Sequence, residues 1–371
     1  MTLRAFDGFD GYKDNDNLGQ VQGDWQWGYQ VNPASPVLPL QIVTGRGGVG
    51  QAIQLTAGSQ VLTKTMGAVG GSLNSDEVTL FYGMAFYFNQ DALNSFDYID
   101  LNIMDWTANQ IQIYVRLNFR SGVVQVYRYP STLLGSTSAA QFNTHGYNFV
   151  EVGSTIDNSA GEVEVRVAGR TVLHLTSQDT QSTANAFQNG LTITQQQFSS
   201  SSGSTFRTVN IDDFYVCDAT MGGGTIPTNT FLGDCRSARM TPTTDYAVTW
   251  TPLSGTDNYA MVDETQFNGD TTYNYTANIG DQDLFGIGSL SSVIARIVAV
   301  QVTVASRQDG AGSSEISAVL NIGGTDYVGA GRVQSTNYQF QSTIWYDNPD
   351  TVTSWTLSDV NNLKIGYKLT A

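Results

Sequence analysis

The sequence predicts an all-β protein, with a large N-terminal sandwich or jelly roll followed by a smaller C-terminal β-sandwich. Three observations carry that prediction. Apolar residues recur at every second position in one segment after another, the period of a strand with one buried face. No i, i+3, i+4, i+7 stripe runs for three turns, so no long amphipathic helix is expected. Only 13% of the 371 residues are charged, against about 25% in an ordinary globular protein, while 40% are hydrophobic, 11% are aromatic and 38 are glycine. That balance describes an ordered, turn-rich chain; disorder needs more charge and fewer aromatics.

The elements follow in chain order. Residues 78–88 are apolar or aromatic at nearly every position, as expected of a central strand covered on both sides. In 110–119, Ile111, Ile113, Val115, Leu117 and Phe119 alternate with Gln110, Gln112, Tyr114, Arg116 and Asn118, which reads as one core face and one outer face. Val163, Val165 and Val167 alternate with Glu162, Glu164 and Arg166, and Ala168-Gly169 separates them from 171–175, predicting a hairpin. The run 199–204 is an exposed loop by composition, and 209–217 is a closing strand. Residues 1–218 thus form the first domain. The stretch Met221-Gly222-Gly223-Gly224-Thr225-Ile226-Pro227 cannot form a regular element and marks a linker over 219–235. Beyond it, over 236–371, alternation returns at Val298, Val300, Val302 and Val304, at Ile316, Ala318, Leu320 and Ile322, and at Leu363, Ile365, Tyr367 and Leu369, predicting a second, smaller sandwich.

Charge narrows the function. With 33 acidic against 17 basic residues the net charge is -16, and no Lys/Arg cluster offers the basic face that counterion release requires, so nucleic acid and anionic membranes are excluded as partners. There is no apolar run of the length that spans a bilayer, and the N-terminus Met1-Thr2-Leu3-Arg4-Ala5-Phe6-Asp7 lacks the features of a secretion signal. Synthesis in the cytoplasm, without a signal peptide, is the expectation. Cys217 and Cys235 are too few for a disulfide scaffold or a zinc site and are expected to be inert thiols unless bridged to each other.

Several motifs imitate chemistry. Gly45-Arg46-Gly47-Gly48-Val49-Gly50 has the letters of a dinucleotide fingerprint, but the alternating 51–56 that follows is a strand, and the fingerprint works only ahead of a helix. His145 and His174 are the sole histidines, one in a turn and one in a strand, and neither suits a Ser-His-Asp apparatus or a multi-histidine metal site. Glu162 and Glu164 share a strand face, which superficially suits a glycosidase pair. The Glu-x-Asp-x-x-Glu arrangement of laminarinase-type hydrolases is absent, however, and their surroundings read as a solvated face. No catalytic residue is assigned, and the protein is expected not to be an enzyme. No cofactor is expected beyond a structural calcium, for which Asp14 and Asp16 are the candidate ligands, with Asp281 and Asp283 a second oxygen-rich pair. Sugar recognition needs exposed aromatic rings beside hydroxyl-bonding polar groups. The candidates are Tyr12, Trp25 and Trp27 near the N-terminus, and Trp106 beside Asp105 in a turn.

Two resemblances add to this reading. Gly45-Arg46 followed by Gly50-Gln51-Ala52-Ile53-Gln54-Leu55, the 78–88 strand, the stretch from Asn148 to Gly169, and the closing Ile211-Asp212-Asp213-Phe214-Tyr215-Val216 together resemble the concanavalin A-like, laminin-G-like jelly roll over residues 1–218. That family includes lectins, adhesion modules and a few hydrolases. In the second half, Gly233-Asp234-Cys235-Arg236, Val262-Asp263-Glu264, Asp270-Thr271-Thr272-Tyr273 and Asp281-Gln282-Asp283-Leu284-Phe285 resemble a segment of tailed-bacteriophage virion structural proteins. So do Asn348-Pro349-Asp350, Trp355-Thr356 and Asp359-Val360-Asn361-Asn362-Leu363. This resemblance implies a virion component, as a fibre, tail or capsid-surface decoration protein. Its implied partners are other virion proteins, further copies of itself as a homo-oligomer (a trimer first), and a host-surface glycan. A glycan-binding host-attachment module is the alternative, with a polysaccharide depolymerase behind it.

Overall fold

A computed structural model describes residues 3–12, 22–23, 27–31, 41–55, 60–65, 76–89, 98–118, 121–143, 146–196, 208–220, 224–290, 294–310 and 312–371. The N-terminal half forms two antiparallel sheets packed as a jelly-roll sandwich. The eight-stranded sheet runs Arg170–Gln178, Gly161–Val167, Tyr147–Thr155, Thr79–Asn89, Thr208–Asp218, Gln51–Leu55, Gln41–Thr44, with Leu3–Asp7 also on Thr208–Asp218. The seven-stranded sheet runs Thr132–Ser136, Val124–Arg128, Gln110–Asn118, Tyr98–Asp105, Gly190–Gln196, Gln60–Thr65, Trp27–Val31. One core lies between them. It takes Leu80, Tyr82, Met84, Phe86 and Phe88 with Val163, Val165 and Val167 from the first sheet, and Ile99, Leu101, Ile103, Ile113, Val115, Leu117, Leu191 and Ile193 from the second. Each buried aliphatic or aromatic side chain is worth about 1.5 to 3 kcal/mol by removal from water, so the period-two stripes determine which face of each strand turns inward.

The strand 79–89 is covered on both sides, for a reason its own composition does not contain. The segment after Asp218 has no strand or helix among its described residues before Pro242, yet it is not free. Phe231 and Leu232 are buried against the outer face of the eight-stranded sheet, and Phe231 meets the Phe81 ring edge-on at 5.0 Å. The Arg166 guanidinium lies over Phe231 at 4.0 Å. The chain is pinned there by Leu232 N–H donating to the Tyr215 hydroxyl (3.0 Å) and Gly233 N–H donating to Glu151 Oε1 (2.8 Å). Cys217 and Cys235 are free thiols in this apolar layer, and burial pushes both up, Cys235 to about 12.

The C-terminal half supplies a six-stranded sheet, in order Pro242–Val248, Gln282–Ile287, Lys364–Leu369, Glu315–Ile322, Thr325–Val328, with Arg332–Val333 also on Glu315–Ile322. Its core takes Ile316, Ala318 and Leu320 from that sheet, Val302 and Val304 from Val300–Ser306, and Trp355, Val360 and Leu363. The helix Leu357–Asn362 carries Val360 inward and opens on a capping box: Asp359 N–H donates to Thr356 Oγ1 at 3.1 Å and Thr356 N–H to Asp359 Oδ2 at 2.9 Å. A three-stranded sheet pairs Gln339–Trp345 with Val300–Ser306 on one side and with Gln22–Gly23 of the N-terminal half, in parallel, on the other. Among the described residues no helix is long and apolar enough to cross a membrane.

Candidate functional site

The inward set on the seven-stranded sheet dictates what its other face presents. With Ile99, Leu101 and Ile103, Ile113, Val115 and Leu117, and Val124 and Val126 in the core, alternation sends Tyr98, Asp100, Asn102, Tyr114, Arg116, Gln125 and Tyr127 outward. Register brings them into rows across the sheet. One row reads Tyr98, Asn118; the next Thr194, Asp100, Arg116, Gln125, Ser136; the third Thr192, Asn102, Tyr114, Tyr127, Leu133.

Arg116 is the centre of this face. Its Nε and Nη2 donate to Asp100 Oδ1 and Oδ2, each at 2.8 Å, a bidentate pair whose planes the sheet holds in register. Its guanidinium lies 3.7 Å from the Tyr98 ring centroid and 5.3 Å from those of both Tyr114 and Tyr127, within reach of a cation–π attraction from each. Tyr114 and Tyr127 stack on each other at 4.9 Å with planes 11° apart. Beside them Asn102 Nδ2 donates to the Thr192 and Thr194 hydroxyls at 2.9 and 3.0 Å. Burial pulls the Asp100 carboxyl upward and Arg116 works against that pull, while Asp100 more than offsets the burial that would lower Arg116. Burial also raises the Tyr98 and Tyr114 phenols, so both keep their protons. The Tyr98 and Tyr127 hydroxyls and the Gln125 amide make no hydrogen bond to the described residues. The result is a packed aromatic cluster in which Tyr114, Asp100 and Asn102 are buried and Tyr98, Arg116, Gln125 and Tyr127 are half-buried, with neutral hydrogen-bonding groups left over.

The residues singled out from the sequence lie elsewhere. Tyr12 packs on the N-terminal core beside Phe9, and its hydroxyl donates to Asp7 Oδ2 at 2.8 Å, so neither its ring face nor its oxygen is presented outward. Asp105 has no exposed surface; its oxygens accept from Ala108 N–H (3.0 Å), the Thr183 hydroxyl (2.7 Å) and Asn185 Nδ2 (3.0 Å). That corrects the expectation of a ligand contact, because the 182–187 loop consumes the carboxylate. The same loop corrects the outer-face reading of Gln112, which it buries completely: Gln112 Nε2 donates to the Thr183 hydroxyl and to the Asn185 and Phe187 carbonyls. Trp106 is half-buried, its backbone N–H donates to Asn189 Oδ1 at 2.7 Å, and its indole N–H is buried without a partner among the described residues. Trp27 takes its place in the edge strand opposite Lys64. Trp25, Asp14, Asp16 and His145 lie outside the described residues.

The remaining motifs serve the fold. Asp283 is fully buried and accepts from Thr249 N–H, Trp250 N–H, Asn258 Nδ2 and the Tyr367 hydroxyl, and Asp281 Oδ2 accepts from the Thr276 hydroxyl and Asn278 Nδ2. Among the described residues no three His, Cys, Asp or Glu side chains are grouped to hold a metal ion. Glu162 pairs with His174 at 2.6 Å, and Glu164 accepts from Arg166 (2.7 Å) and the Thr171 hydroxyl (2.6 Å). Burial acts upward on Glu164, but those two donors outweigh it and hold the carboxyl below its ordinary range, the opposite of what a general acid needs. The 45–50 loop closes on itself through Gly45 N–H to the Gly50 carbonyl and leads into the strand Gln51–Leu55. Asp212 Oδ2 and Asp10 Oδ1 accept from Arg46 N–H and Gln51 N–H, so carboxylates of the protein already stand against these amides.

No protein-family model matches the sequence, and a search of curated proteins finds no significant match. Solved structures similar to the chain include a carbohydrate esterase from Shiga toxin-encoding bacteriophage phi24B, at 17% identity over 52% of this chain and 89% of that one, with a TM-score of 0.32. The Emp47p carbohydrate recognition domain is similar at 10% identity over 57% and 96%, with a TM-score of 0.36. The alginate lyase Aly36B is similar at 12% identity over 44% and 80%, with a TM-score of 0.30. Carbohydrate-recognition and carbohydrate-active domains are therefore among the structures the chain is similar to. At these identities and scores the likeness carries no functional argument, which rests on the residues.

Proposed function

We propose that the N-terminal sandwich binds carbohydrate on the outer face of its seven-stranded sheet, as the recognition module of a structural or attachment protein of a tailed-phage particle. The observation that carries the binding reading is the Tyr98, Tyr114 and Tyr127 cluster around Arg116, with the phenol hydroxyls of Tyr98 and Tyr127 unengaged among the described residues. A pyranose offers an apolar C–H face to aromatic rings and hydroxyls at its rim, and this face offers the complement of both. Binding without cleavage is the favoured reading. Hydrolysis of a glycoside ordinarily needs two carboxyl groups, and Asp100, already bonded twice to Arg116, is the single one on the three rows described. The particle setting rests on the sequence pattern of the C-terminal half.

Calorimetric titration of the purified chain with a panel of soluble oligosaccharides tests the binding. Tyr98→Ala and Tyr127→Ala are each expected to weaken the best ligand by about 1 to 2 kcal/mol, roughly 5- to 30-fold in Kd. Unchanged affinity in both variants would move the site elsewhere. Immunogold labelling of particles tests the setting: label on the capsid or tail supports it, and absence from particles overturns it.

A further inference from the structure

The binding reading leaves the charge of the ligand open, and the ion pair at the centre of the face bears on it. Asp100 and Arg116 are the only charged residues on the three rows, and each is spent on the other through two hydrogen bonds. The Asp100 side chain is 9% exposed and that of Arg116 22% exposed. To grip the carboxylate of an acidic sugar, Arg116 would have to turn away from Asp100. That movement would strand a buried, unpaired carboxylate, the costly half of breaking a buried pair, and would set the incoming carboxylate beside a like charge. The chain's net charge of -16 adds a repulsion of the same sign at low salt. What remains without a hydrogen bond among the described residues of the face is neutral: the Tyr98 and Tyr127 hydroxyls and the Gln125 amide. Two of the guanidinium's five N–H groups point at Asp100, and the other three make no hydrogen bond to the described residues, so a hydroxyl oxygen could be met without disturbing the pair.

We infer that Asp100 is a specificity residue, and that by neutralising Arg116 it restricts this face to uncharged glycans and excludes uronate-containing ones. The inference rests on the proposed glycan binding and goes beyond it by naming the ligand class. Asp100 acts through Arg116, as a positioning and charge-setting group within the aromatic cluster.

The test is a titration of the full chain at low salt with two sets of probes, neutral gluco-, manno- and galacto-oligosaccharides and acidic oligoalginate and oligogalacturonate. Each set is repeated with Asp100→Asn and with Asp100→Asn/Arg116→Gln, whose folding is checked by circular dichroism. The wild-type chain is expected to bind at least one neutral probe ten-fold or more tightly than either uronate. Asp100→Asn frees the guanidinium charge and is expected to raise uronate affinity at least ten-fold, in a salt-dependent manner, and the double variant to lose that gain. Uronate binding by the wild type equal to or tighter than neutral binding, abolished in Tyr98→Ala/Tyr127→Ala, would overturn the charge selection while upholding the site. An unchanged uronate-to-neutral ratio in folded Asp100→Asn would overturn it too. Failure of the wild type to bind either set overturns the binding reading itself, and this inference with it. The wild-type comparison decides even where a variant does not fold.

Discussion

Glu151 shows how much one buried side chain can carry. It stands in the middle of the eight-stranded sheet, paired in register with Arg166 on one side and Gly83 on the other, and it has no exposed surface. Oε1 accepts from the Tyr215 hydroxyl and from Gly233 N–H, so this carboxylate ties a strand to the segment that covers it. Oε2 is buried with no partner among the described residues. Burial therefore raises the carboxyl, against the pull of the Tyr215 and Gly233 bonds. The Tyr215 hydroxyl is doubly engaged, since it also accepts from Leu232 N–H. Tyr215→Phe keeps the ring and orphans both partners at once. It is expected to cost about 2 to 4 kcal/mol in urea denaturation, the range for leaving buried polar groups unsatisfied. A loss under about 0.5 kcal/mol would mean that water reaches the pocket and the segment is not clamped there.

At the scale of elements, the hairpin between Gly161–Val167 and Arg170–Gln178 gives a test of local strain. Ala168 and Gly169 both take positive φ, 49° and 74°, as a two-residue turn of the I′ kind demands. Glycine adopts that conformation freely, but alanine pays for its Cβ, and Ala168 is exposed, with nothing packed on it to lose. Ala168→Asn is expected to stabilise the chain by about 0.5 to 1 kcal/mol in the same assay; a loss would show that the strain is not where the dihedral places it. This hairpin, and the strands around Ile113, Val163, Leu320 and Ile365, were legible because period-two alternation and a turn dipeptide are local signals. The site was legible only in part. Alternation put Tyr114 and Arg116 on the outer face of their strand, and the same pattern was present in Tyr98–Asp105, where Ile99, Leu101 and Ile103 alternate with Tyr98, Asp100 and Asn102. What the sequence does not display is register: that Asp100 lies opposite Arg116, and Tyr114 opposite Tyr127, depends on turns and bulges that set the offset between strands. Trp106 stands out in the sequence because it lies in a turn beside Asp105, whereas the tyrosines that gather around Arg116 lie inside strands and carry no such local mark. The burial of Gln112 and Asp105 was invisible for a related reason, since the loop that consumes them lies some seventy residues along the chain.

Across the whole molecule, the two halves meet over a set of charged groups, of which Asp212 and Asp213 are buried and Asp234, Arg236 and Arg239 are exposed, and the titration of the buried carboxyls sets a pH dependence. Arg46 bonds Asp234 and approaches Asp213, Arg236 donates to the Arg46 carbonyl, and Arg239 donates to the Asp10 and Thr265 carbonyls. The Tyr346 hydroxyl donates to the Leu3 carbonyl, and Arg296 to that of Leu232. Within this junction Asp212 is pushed up to about 7, by burial first and then by the neighbouring Asp213 charge, with hydrogen bonds from Arg46 and Asp213 N–H opposing. Burial likewise raises Asp213 and Asp10. Unfolded, such carboxyls release their protons near 3.8. Between that value and about 7 the folded chain holds more protons than the unfolded one, so stability falls as pH rises through the window. The carboxyls held low, Glu164, Asp157, Asp270 and Asp359, contribute stability that is lost only as pH drops below the ordinary carboxylate range, so they add no slope above it. Thermal or urea unfolding of the wild type from pH 5 to pH 8 is therefore expected to show a decline on the order of 2 to 4 kcal/mol. Asp212→Asn, whatever its offset at one pH, is expected to flatten most of it, because an amide has no proton to release. A wild-type profile level across that interval would mean that Asp212 is ionised throughout, and that the junction is hydrated rather than closed.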